Sequence, residues 1–209
     1  MTLAYEVDVE EKILKIAIKL FIEKGFFETS IKGLMDELNI KKDYFYQCFK
    51  SKEDLINNVI ERFWIPYINR IIEISNKCIT SEEKLLIIFK EYSEIESYFI
   101  KKFNVKIFYY KSIIFLTIEG RVYGHTWNNI IELNVKLLDE IGLIIEYGKR
   151  QGEILNTVNS SNFSREVLSL LQSNIVLWVM NPKINIKKLY ETSFKYLWRS
   201  IKNHHEVIL

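Results

Sequence analysis

The sequence predicts an all-α protein, and three observations carry the prediction. Apolar residues recur at helical spacing along most of the chain. Glycine (7) and proline (2) are scarce, whereas a sandwich or barrel needs turn residues every ~8–12 positions. A 48% hydrophobic and 27% charged composition supplies a sizeable core and excludes global disorder. About nine helices are expected, beginning with Ile13, Ile16, Ala17, Leu20 and Phe21 on one face and closing at Gly25. Thr29 or Ser30 caps a second, short helix that buries Ile31, Leu34, Met35 and Leu38. Asn39 stops it, because asparagine tolerates the left-handed conformation of a tight turn. A third helix must start almost at once, with Phe45 and Phe49 inward. Ser51 to Asp54 reads as the capping box of a fourth, with a kink expected at Pro66.

Beyond residue 80 the helices lengthen. Thr80 to Glu83 is another capping box, opening a helix through Leu85, Ile88, Phe89, Tyr92 and Ile95. Residues 105–119 read as a short apolar helix. Gly120 and Gly124 precede a long helix from His125 to Gln151, and Asn156 to Asn162 is a loop. Two more helices, 163–180 and 185–203, are split by Asn181-Pro182.

The longest apolar run, Ile175 to Met180, is far short of the ~20 residues of a membrane span. The acidic start (Glu6, Asp8, Glu10, Glu11) does not read as a signal peptide. Cys48 and Cys78 cannot build a disulfide framework, so a reducing cytoplasm is the expected location. These cysteines and His125, His204 and His205 have no metal-ligand spacing, so neither a metal nor a cofactor is expected. No phosphate loop or nucleophile motif points to an enzyme. The net charge is only +2, but Lys41, Lys42, Lys50 and Lys52 gather against Asp43 alone. Such a local patch suits an anionic backbone.

Two short helices joined by a tight turn, with a third behind them, have the spacing of a helix-turn-helix, whose second helix enters the major groove. Residues Ile13 to Ile56 resemble the DNA-binding module of TetR-family transcriptional regulators. The resemblance rests on Leu20-Phe21, Gly25-Phe26, Thr29-Ser30-Ile31, Ile40, Phe45-Tyr46, and "FKSKEDL" from Phe49 to Leu55. It implies a DNA-binding domain over 8–55 and an effector-binding and dimerisation domain over 56–209. Departures lie at Asn39, where glycine is usual, at Lys41, where a capping serine is usual, and at Asp43-Tyr44, where a small pair is usual. The last two lie on the surface that faces DNA.

From the resemblance, Thr29 and Lys32 would hold phosphates, Tyr46 would bond the DNA backbone, and Lys50 and Lys52 would flank it. Lys41 belongs to the same basic surface. Lys42, Tyr44 and Gln47 are the candidates for base edges, since lysine pairs with guanine, glutamine with adenine, and a ring touches a thymine methyl.

Tyr98 to Trp127 holds nine aromatics in thirty residues. Tyrosine-rich apolar surroundings suit a pocket, and the family's central helices enclose an effector cavity. Tyr109, Tyr110, Tyr123 and Trp127 are therefore the expected lining, and Arg121 admits an anionic head group. The 163–180 helix is apolar nearly all round, which requires cover on both sides. Leu168, Leu171, Ile175 and Trp178, with Phe194 and Trp198 of the last helix, are thus expected at a homodimer interface; a central place in the monomer core is the alternative. The expected function is a repressor released from operator DNA by a small hydrophobic or aromatic effector. The alternative is a DNA-binding regulator without a small ligand, controlled by a protein partner.

Overall fold

A computed structural model describes residues 2–103 and 125–203. The expected 105–119 helix, Tyr109, Tyr110 and Tyr123 lie outside the described residues. The fold is all-helical, and the described residues divide into two compact units, Met1–Pro66 with Glu96–Ile130 and Tyr67–Ile95 with Ile131–Leu209.

In the first unit α1 (Thr2–Lys24) buries Ile13, Leu14, Ala17, Ile18, Leu20 and Phe21. Gly25 ends it with φ 93°, where a side chain would be strained. Ser30 caps α2 (Ile31–Leu38), its hydroxyl accepting the Gly33 N–H at 2.9 Å. Asn39 adopts φ 52°, ψ 44° as expected for the tight turn. The turn is closed by Asn39 N–H to Asp36 O (3.2 Å) and Ile40 N–H to Met35 O (3.1 Å). Then α3 (Lys42–Cys48) turns Phe45 inward and Phe49 follows it, both buried. Ser51 accepts the Asp54 N–H to cap α4 (Lys52–Val59). The Asp54 carboxylate does not complete the expected box; it reaches one residue further and accepts the Lys50 N–H at 2.8 Å. Both α2 and α4 pack on α1.

The kink expected at Pro66 takes another form. A π turn over Ile60–Trp64 leads straight into α5 (Ile65–Asn76), with Ile65 N–H bonded to Ile60 O. Proline has no N–H to donate to the preceding turn, and the wider turn just upstream accommodates the loss. In the second unit α6 (Ser81–Ser93) carries the expected capping box of Thr80 and Glu83. It stops at Ser93, and Ile95 begins α7 (Ile95–Phe103), so the single helix expected through Ile95 is two. From Glu96 onward α7 belongs to the first unit, where Phe103 meets Phe63 edge to face at 5.1 Å.

The second unit continues with α8 (His125–Arg150), α9 (Ser160–Met180) and α10 (Ile186–Ile201), of which α8 enters at Ile131. Asn159 and Asn185 cap the last two. Phe89 of α6 packs against Phe194 (5.7 Å) and Tyr190 (6.2 Å) of α10, and the Tyr190 hydroxyl donates to Leu171 O of α9. At Gly148 a Cβ would fall 2.6 Å from both Ile154 Cδ1 and Ser81 Oγ, so α8 and the head of α6 approach closely only because this residue is glycine.

Candidate nucleic-acid interface

The α2–turn–α3 hairpin sits on α1, and its outer surface is polar. Phe45 and Phe49 fix which side of α3 is inside, so Lys41, Lys42, Asp43, Tyr44, Tyr46 and Gln47 are all exposed. Tyr44 and Tyr46 keep 44% and 45% of their surface in water. The Tyr46 ring packs edge-on against Phe45 at 5.2 Å, and the Lys42 ammonium stands 5.5 Å from its centre. Lys32 and Lys50 are exposed as well.

Two of the named residues are placed differently. Thr29 is 3% exposed, and its hydroxyl donates to Gly25 O at 2.8 Å, bridging the α1–α2 turn. Its side chain is therefore committed to the fold. Lys52 is half-buried, with its ammonium 4.1 Å from the centre of the Phe26 ring and donating to Phe27 O at 3.4 Å. Loss of water around that ammonium holds its pKa below the ordinary lysine value. Lys52 thus ties the start of α4 to the α1–α2 turn. Asp43, expected on the surface that faces DNA, stands exposed among these lysines. Two residues from the buried Phe45, it lies on the opposite face of α3.

The six residues expected at a dimer interface are all buried within one chain, from Leu171 at 0% to Leu168 at 8%. The reading of α9 as apolar on every side needs correcting. It has one buried stripe (Phe163, Val167, Leu168, Leu171, Ile175, Trp178), and its outer side holds Ser169, Gln172, Ser173, Leu177 and Met180. The remaining apolar residues Leu170, Val176 and Val179 are half-buried. The exposed apolar groups of α9 and α10 are Leu177, Met180 and Tyr196. Trp127 lies in α8, with its side chain outside the described set. A surface groove of about 550 Å³ runs between α8 and the start of α9, lined by Leu138, Leu143, Asp139, Glu146, three serines and Arg165. It is open to solvent, and its lining includes no aromatic side chain. Among the described residues no cluster could hold a metal ion, and no helix is long and apolar enough to cross a membrane.

A capped short helix, a left-handed turn and a second short helix with a polar outer face define a helix-turn-helix DNA-binding module at the head of an all-helical chain. Residues 13–59 match the family described as bacterial regulatory proteins, tetR family. Over those residues the module is similar to the DNA-binding part of that family, and the chain shares its fold with a TetR-family regulator from Cytophaga hutchinsonii (TM-score 0.76, 18% identity, 97% of this chain and 98% of that one). It is 35% identical over 68 residues to the uncharacterized HTH-type regulator YuxN of Bacillus subtilis, a match that takes in 32% of this chain but only 23% of YuxN. It is 27% identical to IcaR of Staphylococcus aureus, named a negative transcriptional regulator of a biofilm operon, over 90% of this chain and 93% of that one. The crystal structure of FadR from Bacillus subtilis, in complex with stearoyl-CoA, superposes with a TM-score of 0.70 at 18% identity, covering 90% of this chain and 96% of that one.

Proposed function

We propose that this protein is a homodimeric, cytoplasmic DNA-binding regulator that represses transcription until a small hydrophobic or aromatic molecule releases it. The observation that carries the reading is the outer face of α3. Of the seven consecutive positions 41–47, all except the buried Phe45 face water. Lys32, Lys41, Lys42 and Lys50 surround it with positive charge for phosphates. The DNA-binding part is assigned to 8–55 and effector binding and assembly to 56–209. IcaR is named a negative regulator, which favours repression here, and FadR holds a long acyl chain, which favours an apolar effector. Tyr109, Tyr110, Tyr123 and Trp127 remain the assigned lining of that site. Because the core side of α9 is occupied, assembly is assigned to its outer side and to α10, through Leu177, Met180 and Tyr196. Release is a population shift: the effector binds more tightly to a dimer geometry that DNA does not accept.

The experiment is a mobility shift against DNA flanking the protein's own gene, repeated with pools of acyl and aromatic ligands. A retarded band that one pool reverses supports both halves of the reading. A band that no pool reverses, with no ligand raising the melting temperature, replaces the effector with a protein partner. Absence of any retarded band against own-gene and random DNA alike overturns DNA binding.

A further inference from the structure

Resting on the DNA-binding reading, we infer that Asp43 is a base-reading residue that selects cytosine, with Gln47 selecting adenine beside it. The first support is direction. At 3.6 residues per turn, Asp43 and Gln47 each point about 160° away from Phe45, whereas Tyr44 and Tyr46 flank at about 100°. Phe45 is fully buried, so Asp43 and Gln47 form the crest of α3, and they stand one turn apart on it.

The second support is that both side chains are unused by the fold. Neither the Asp43 carboxylate nor the Gln47 amide has a hydrogen bond or ion pair among the described residues, although Lys41 and Lys42 adjoin Asp43 in sequence. The neighbouring Asp54 carboxylate, by contrast, accepts the Lys50 N–H, and Lys52 is held by Phe26 and Phe27.

The third support is chemical. A carboxylate on a surface that approaches phosphates weakens binding to DNA of every sequence. It regains that loss only where it meets a hydrogen-bond donor. In the major groove the donors are the N4 amino group of cytosine and the N6 amino group of adenine. Adenine sets its N7 acceptor beside N6, facing the second carboxylate oxygen, and guanine offers acceptors alone. Cytosine is therefore preferred and guanine is the worst base at that position. An amide four residues along the helix, about 6 Å away, meets a base one or two steps distant, and glutamine pairs with adenine through N6 and N7. The half-site should contain a fixed C with a fixed A one or two base pairs from it.

The test is selection from a randomised duplex pool with the full-length wild-type protein, Asp43→Asn and Asp43→Ala, with the melting temperature of each recorded. Wild type should enrich C at one position by about tenfold or more over G. Asp43→Asn should move the preference at that position to A. Asp43→Ala should flatten it while binding random DNA at least as tightly as wild type. A first-turn carboxylate that only steadies α3 through the helix dipole would behave otherwise. The variants would then melt earlier and bind all sequences more weakly, with an unchanged motif. If the three proteins select the same motif, the inference is overturned while DNA binding stands. If wild type enriches no sequence and retains no duplex, DNA binding itself is overturned and the inference with it.

Discussion

Replacing Asn39 with alanine isolates one conformational term at the joint of the DNA-binding hairpin. Asn39 is exposed and its side chain makes no hydrogen bond among the described residues, so truncation removes little packing. What changes is the ease of holding φ 52°, ψ 44°. The left-handed conformation costs a typical L-residue about 1–2 kcal/mol, and asparagine less. Alanine should therefore cost about 1 kcal/mol relative to asparagine, while glycine, which enters this region freely, should lie close to the wild type. For a chain of about this size, 1 kcal/mol is a melting-temperature change of about 2–4 °C. The backbone bonds from Asn39 N–H to Asp36 O and from Ile40 N–H to Met35 O do not involve the side chain, so the turn should persist and DNA affinity should change little. Melting of the wild type, Asn39→Ala and Asn39→Gly is followed by circular dichroism. If the alanine variant melts at or above the glycine variant, the turn is not held by its left-handed residue and the reasoning fails.

Gly148→Ala should lose about 1–3 kcal/mol through overpacking against Ser81 and Ile154; Ser81→Ala, which removes one of the two clashing groups, should restore part of the melting temperature in the double variant. On DNA, Lys50→Ala should lower affinity for all sequences and reduce the salt slope by about one, whereas Lys42→Ala should also alter base preference; wild-type behaviour of both would misplace the surface. Leu171→Glu should abolish cooperative unfolding, since it buries a charge in the core, while Leu177→Glu with Tyr196→Glu should keep the helical spectrum and give monomers by light scattering. Burial raises the hydroxyl pKa of Tyr92 and of Tyr190 above the ordinary tyrosine value, with the neighbouring tyrosines adding to the rise at Tyr190. The unfolded chain then releases protons first, so stability is complete below about pH 10 and falls as pH rises beyond it; Tyr92→Phe should flatten that fall in alkaline melting curves.

Local grammar was legible where the residue itself sets the backbone. The hydroxyls of Ser30 and Thr80, the glycine at 25 and the asparagine at 39 act within four residues of their own positions, so their spacing told what they do. The destination of side chains that reach further was hidden. Thr29 looked like a phosphate ligand and turned its hydroxyl back to Gly25, and Lys52 looked like a DNA contact and lies on Phe26. The apolar run in α9 said that much is buried without saying by what. The packing of α10 on α9 supplies cover that a partner subunit had been invoked to provide. Asp43 was legible as an acid among lysines on the DNA-facing surface, but that no described side chain pairs with it was not.

The lodging of Lys52 gives the module a built-in reference amine. Amine-reactive reagents modify an ammonium group only when water and reagent reach it, and Lys42 and Lys50 stand open while Lys52 is shielded by Phe26 and Phe27. Acylation of Lys42 and Lys50 therefore reports occupancy of the surface, and acylation of Lys52 reports opening of the α1–α2 turn. Footprints read by peptide mass can be normalised inside a single molecule: protection at the first two with Lys52 unchanged is a bound nucleic acid, and a rise at Lys52 is a module coming apart.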